Sequence, residues 1–222
     1  MKTKSRSIEQ IIEEQMQRWQ LMKSRKVKEK QGVSTITISR EPGSGGSVVA
    51  KKLAAKLDFK VFHQEVLIAI AKRADVSDKL LATLDEKGLN VLEDCITALV
   101  YDRHLWPDEY LKHLMKVIGA IGKHGSAIIV GRGANFVVPP QNRLRLRIVA
   151  PQNVRIANVA RAFDVKTEDA RRHIIRTESD RRAFIRKYFN ADITDPNNYD
   201  IVINTGALEI DKAVEAVIAA LG

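Results

Sequence analysis

The sequence predicts an α/β fold in which a parallel sheet is covered by helices on both faces. Two observations carry the prediction. From Gly32 onward, short apolar or β-branched runs alternate with longer stretches of helical spacing. The first of those runs also passes through three closely spaced glycines straight into a helix. A chain of 222 residues has room for one domain of this class with an appendage.

Residues 1–31 form the predicted appendage, an N-terminal helical extension. "SIEQIIEEQMQRWQLMKSRKVKEKQ" opens with a capping signal, Ser7 followed three residues later by Gln10. Ile8, Ile11, Ile12, Met16, Trp19 and Met22 then fall near helical spacing and a basic run closes the segment. Such a helix must dock its apolar face, either on the chain's own domain or on a second copy as a homodimer. Its acidic first half disfavours a membrane or calmodulin-like role.

In the domain over residues 32–222, "STITIS" is a β-branched run suited to a buried strand, and "SVVAKKLAAKL" a helix. "KVFH" reads as a second short strand. Helical patterns fill residues 64–123, with Pro107 at a helix start. "SAIIVG" and "LRLRIVA" give the third and fourth strands. "PQNVRIANVARAF" and "TEDARRHIIRTESDRRAFIRKYF" are helical, "YDIVINT" is the fifth strand and "LEIDKAVEAVIAAL" the closing helix. A five-stranded parallel sheet follows.

Composition narrows the partners. Hydrophobic residues make up 45% of the chain, so a real core is expected. No apolar run approaches the roughly 20 residues needed to span a bilayer, and the charged N-terminus lacks a secretory pattern. The single cysteine, Cys95, sits in an apolar helical pattern. It excludes an internal disulfide or a cysteine-based metal site and suits a reducing cytoplasm. A cytoplasmic protein without membrane partners is the expectation. The net charge of +10 points to anionic partners, either nucleic acid or small phosphorylated ligands.

The glycine turn favours the second. "REPGSGGS" supplies Gly43, Ser44, Gly45 and Gly46 between strand and helix, a layout in which backbone N–H groups converge on an anion at the helix's positive end. Ser47 stands where an N-cap or a metal-binding hydroxyl lies. Against G-x-x-x-x-G-K-[ST], however, Arg40 occupies the first glycine position and Gly46 the lysine position. By the local pattern alone a plain turn remains the alternative.

Arginines supply charge elsewhere. Arg132 follows the third strand between two glycines, at the end of the sheet where ligands gather; a structural ion pair is the alternative reading. Arg161, Arg171, Arg172, Arg176, Arg181, Arg182 and Arg186 crowd one helix–turn–helix, with Arg172, Arg176 and Asp180 near one stripe. A solvated face explains many such runs, whereas phosphoryl transfer needs arginines that close over the transferred group. The arginines lack the interleaved aromatics of a nucleic-acid binder. Trp106, Tyr110 and Phe136 read as core or interface residues.

Together, "ITISREPGSGGSVVAKKLA", "FHQEVL", "IIVGRGANFVV", "RIVAPQNVRI", "SDRRAFIRKYF" and "DPNNYDIVINTGAL" resemble, in order over residues 34–221, the cytidylate kinase-like family of P-loop kinases. The resemblance implies a three-layer P-loop kinase fold with a helical lid over residues 151–190. It implies ATP and Mg2+ as cofactors and a nucleoside monophosphate, or another small phosphorylated or hydroxylated acceptor. Carried over, Gly43 to Ser47 cradle the donor phosphates, with Ser47 reaching the metal, and Arg132 holds the acceptor phosphate. Arg161, Arg176 and Arg182 are lid arginines, with Asp180 orienting one of them. Residues 64–123 bind the acceptor, with Glu65 as the polar candidate.

Three departures accompany the match. Gly46 replaces the lysine of true cytidylate kinases, as the "GSGG" loop of this branch commonly does, and Arg40 is the first candidate for the missing cation. His63 replaces an acidic residue common in the branch, which puts a change in acceptor recognition there. Gly133 stands where cytidylate kinases carry an aspartate. A nucleotide-binding regulatory module without catalysis is the alternative function that the missing lysine raises.

Overall fold

The structure, a computed structural model, describes residues 10, 13, 14, 17 and 33–221. Gln10, Glu13, Glu14 and Gln17 are helical and exposed. The apolar face expected of the N-terminal helix, and its docking role, lie outside the described residues.

Five strands form one parallel sheet: β1 (Thr35–Arg40), β2 (Lys60–Phe62), β3 (Ala127–Val130), β4 (Arg143–Val149) and β5 (Ile201–Asn204), in the order β2-β3-β1-β4-β5. The connection leaving β1 runs to the β2 edge and the one leaving β4 runs to the β5 edge. The carboxyl ends of β1 and β4 therefore flank a crevice where chain direction reverses, the usual ligand position in an open α/β sheet. Register pairs Ser39 with Arg147 and Ile38 with both Val130 and Leu146.

The central strand shows why one face differs from the other. Ile36 and Ile38 point into a core closed by α1 (Gly46–Leu57) and α9 (Ile210–Ala219), through Val49, Leu53, Val214 and Val217. Thr35, Thr37 and Ser39 alternate to the opposite face and are buried too, so each needs a partner. Thr35 Oγ1 donates to the Gly122 carbonyl at 3.1 Å, and Ser39 Oγ accepts from Arg147 Nη1 at 2.9 Å.

The second face carries the helical region between β2 and β3: α2 (Gln64–Ala71), α3 (Ala74–Leu81), α4 (Glu86–Asp102) and α5 (Glu109–His124). Asp108 caps α5 by accepting from Leu111 N at 2.8 Å, so Pro107 stands just outside the helix it was expected to open. Leu111, Leu114, Met115, Ile118 and Ile121 of α5 are fully buried, each contributing about 2 kcal/mol of apolar burial.

A short helix, α6 (Ala134–Val137), follows β3, and two long helices, α7 (Gln152–Phe163) and α8 (Thr167–Phe189), form a hairpin between β4 and β5. Ile156, Val159, Ala170 and Ile174 give the hairpin a small core of its own, while Ile185 and Phe189 at the far end of α8 join the main core. Among the described residues no helix is long and apolar enough to cross a membrane.

Candidate functional site

The glycine turn is shaped by close approach. Gly43 and Gly45 take left-handed φ values of 80° and 76°, which glycine adopts without steric cost. A Cβ at Gly43 would collide with the Arg155 carbonyl oxygen, so the turn lies directly beneath α7. Gly45, rather than Ser47, is the N-cap of α1, and it offers no side-chain cap. The N–H groups of Gly46 and Ser47 are therefore left without helical acceptors at the positive end of a 12-residue helix. Ser47 is exposed on the first turn, with its hydroxyl toward solvent, while Ser44 is buried and donates to the Glu41 carbonyl at 2.9 Å.

Glu41 anchors this turn. Its carboxylate accepts from Ala150 N at 3.0 Å and pairs with Arg155 Nε at 3.3 Å and Arg147 Nη2 at 3.8 Å. Arg155 continues to Glu178 Oε2 at 3.0 Å, and Asn158 donates to the Gly43 carbonyl at 2.9 Å. Charged and polar contacts thus join the turn, the strand end and the helical hairpin. A second, open cavity of about 410 Å³ lies beside this hub, lined by Glu41, Arg147, Pro151, Thr194 and Asn204.

Across the turn lies a cavity of about 280 Å³, lined by Ser39, Arg40, Gln64, Arg132, Thr177, Asp180, Arg181 and Phe184. Arg132 has a φ of 54° between Gly131 at 84° and Gly133 at 71°. Three successive left-handed residues are costly for a chain that must place an arginine in their midst. The payoff is position: the guanidinium stacks on the Phe184 ring at 4.6 Å from its centroid, and its Nε is buried without a hydrogen-bond partner. Arg181 is similar. Its Nη1 donates to the Arg40 carbonyl at 2.7 Å, and its Nε is buried and unpartnered.

Burial, and then the charge of Arg181, push Arg40 down from its ordinary range to about 9; Glu65 opposes this and Arg132 adds to it. Burial and Arg132 likewise lower Arg181. Like charges crowded in a partly buried pocket are unfavourable until an anion joins them.

The expected site residues divide in two. Arg40, Arg132 and Asp180 line this cavity, Glu65 is near enough to offset part of the Arg40 charge, and the Gly43–Ser47 turn reaches Arg40 through Gly46. His63 is the N-cap of α2, half-buried beside Glu65 and Arg40, and burial chiefly lowers its pKa. Arg161, Arg176 and Arg182 are exposed and line neither cavity; Arg182 reaches Glu178 at 3.4 Å. Tyr110 and Phe136 pack against the core as expected, and Trp106 is 96% exposed.

The residues that sequence reasoning missed are Glu41, Arg147, Arg155 and Arg181. Arg147 was signalled by the R-L-R-L-R alternation of β4, which puts it on the polar face beside Ser39. Arg181 lies seven positions after Ile174 and four before Ile185, on the buried stripe of α8.

Among the described residues no group of three or more His, Cys, Asp or Glu side chains could hold a metal ion. A magnesium ion arriving with phosphate oxygens could take Ser47 as a protein ligand. The exposed hydroxyl and the free amides beside it fit that arrangement.

Comparisons with known proteins converge on one family. A model described as the cytidylate kinase-like family matches residues 35–207. The cytidylate kinase of Ignicoccus hospitalis is 26% identical over 186 residues, covering 83% of this chain and 97% of that protein. The cytidylate kinases of Methanothrix thermoacetophila and Desulfurococcus amylolyticus are 27% and 28% identical, covering 84% and 80% of the chain and 96% and 87% of those proteins. Among solved structures, an uncharacterized protein from Eubacterium ventriosum shares the fold, with a TM-score of 0.63 at 22% identity over 84% of this chain and 97% of that one.

Proposed function

The chain belongs to the cytidylate kinase-like family, and on that premise we propose that it is a phosphotransferase using ATP and Mg2+ to phosphorylate a nucleoside monophosphate or similar small phosphorylated acceptor. The observation that carries the reading is Arg132, held in a left-handed turn with a buried, unpartnered Nε and lining a cavity that adjoins the glycine turn.

Nucleotide bound with its metal supplies the phosphoryl group and charge neutralisation. The protein supplies position. The amides of Gly45, Gly46 and Ser47 hold donor phosphates, and Arg132 and Arg181 hold the acceptor's anionic group. In transfer an acceptor oxygen bonds the γ-phosphorus and the bond to the β,γ-bridging oxygen breaks, its electron pair leaving on ADP. Little proton chemistry is required. Asp180 sits at the cavity rim to orient an arginine, Glu65 and His63 border the acceptor side, and Arg161, Arg176 and Arg182 lie on the α7–α8 hairpin, a lid that excludes water when it closes.

The test is ADP release from ATP and Mg2+ with a panel of nucleoside monophosphates. Turnover that disappears in Arg132→Ala supports the reading; no turnover above that variant on any acceptor overturns it. Gly46 at the lysine position favours a second reading, a nucleotide-binding regulatory module, for which ATP binding without any turnover is the signature.

A further inference from the structure

Arg40 and Gly46 are the two positions at which this glycine turn departs from the lysine-bearing pattern, and they touch. A Cβ added at Gly46 would lie 2.6 Å from Arg40 Cβ and 3.1 Å from its Cγ. Real Cβ atoms essentially never approach that closely, so a side chain at 46 cannot sit beside the one at 40 unless one of them shifts. The two departures are a single steric exchange. A residue with a side chain at 40 fills the space beside the start of α1, and the residue at 46 must then be glycine.

The other end of the same side chain lies elsewhere. A Cβ added at Gly131 would lie 2.5 Å from Arg40 Nη1. The Arg40 side chain therefore runs from the first turn of α1 to the end of β3, crossing the gap between the donor turn and the turn that carries Arg132. Its guanidinium lines the 280 Å³ cavity with Arg132 and Arg181. Among the described residues no protein group accepts a hydrogen bond from it, and Glu65 is the one carboxylate that offsets its charge. A structural arginine is normally paired; this one crosses a cavity and meets two more cations.

We infer that Arg40 is the donor-phosphate cation of this protein, doing from the end of β1 what a lysine at position 46 would do from the start of α1. An ammonium rising from the helix start would face the donor phosphates alone. The Arg40 fork lies between the donor turn and Arg132, so it meets the terminal phosphate of the donor on the side from which the acceptor comes. A planar guanidinium suits that place because it offers N–H groups to oxygens on two sides at once. For its effect on turnover the inference rests on the phosphotransferase reading; for donor binding it does not.

The experiment separates the two. Binding of ATP and of inorganic tripolyphosphate is measured by calorimetry, without acceptor, for the wild type, Arg40→Ala, Arg40→Met, Arg40→Gly, Gly46→Lys and the Arg40→Gly/Gly46→Lys double variant, with thermal melts to check folding. The alanine and methionine variants are expected to bind both ligands at least about tenfold more weakly. Gly46→Lys alone is expected to melt lower than the double variant, because it collides with Arg40. The double variant, with its cation moved back to the helix, is expected to recover most of the lost affinity. Wild-type affinity in folded Arg40→Ala and Arg40→Met overturns the inference. So does a double variant that binds no better than Arg40→Gly alone. If the wild type phosphorylates no acceptor, the phosphotransferase reading falls, and these binding comparisons still decide the role of Arg40.

Discussion

Gly133 lies flat against the ring of Phe189: a Cβ added at 133 would come within 2.5 Å of the ring Cζ. Phe189 is fully buried and stacks on Phe136 at 5.1 Å between centroids. The place where cytidylate kinases carry an aspartate is therefore filled by an aromatic cluster, and no side chain fits there. Gly133→Asp combines the collision with a φ of 71°, and a loss of about 3 kcal/mol or more is expected in urea denaturation. Phe189→Leu in the same chain should recover part of that loss relative to Gly133→Asp, since it removes the ring.

Glu41 is the common partner of Arg147 and Arg155, whose side chains are 6% and 8% exposed. Glu41→Ala leaves both guanidinium groups short of their counter-charge and is expected to cost about 3 kcal/mol. A double-mutant cycle with Arg155→Ala should give a coupling of about 1 kcal/mol or more. A cycle that closes to zero would show the two residues to be energetically independent.

Arg182 makes the opposite kind of prediction. Its pair with Glu178 is half-exposed, so Arg182→Ala should change stability by no more than about 0.5 kcal/mol. If the α7–α8 hairpin closes as a lid, turnover should fall about 100-fold or more, in kcat rather than KM. Unchanged kcat removes Arg182 from the lid set.

His63 gives a pH dependence. Burial, chiefly, lowers its pKa from 6.5, with Glu65 opposing and Arg40 and Lys51 adding to the shift. Above pH 6.5 both folded and unfolded chains carry it neutral. As pH falls, the unfolded chain takes the proton first, so stability is lost as pH drops from 6.5 through the lower folded-state value. Melting temperature measured from pH 7 to about pH 5 should fall less steeply in His63→Gln than in the wild type. Equal slopes would assign the acid sensitivity to other groups.

The strands and helices were legible because their spacing is regular: β-branched or apolar strands of three to seven residues alternate with helices that carry clear apolar stripes. The turn at Gly43–Gly46 was legible because left-handed backbone selects glycine. The charged hub was not, because Glu41, Arg147 and Arg155 stand more than 100 residues apart in part of their contacts and look like surface residues one by one. Arg181 was passed over for its neighbour Arg182, although one residue on a helix is a turn of about 100°. Only the phase set by Ile174 and Ile185 separates the arginine at the cavity from the one in solvent. The N-cap of α1 fell on Gly45 rather than Ser47 because the residue before the first helical one is left-handed, a conformation that favours glycine.

The contact between Arg40 and Gly46 also constrains descent. Between a loop with glycine at 40 and lysine at 46 and the loop of this chain lie two single-substitution routes. One passes through arginine and lysine together, which collide. The other passes through glycine at both positions, which fits but leaves the loop with no cation at all. A lineage that crossed between the two loop types one substitution at a time passed either through a strained loop or through one with neither side chain.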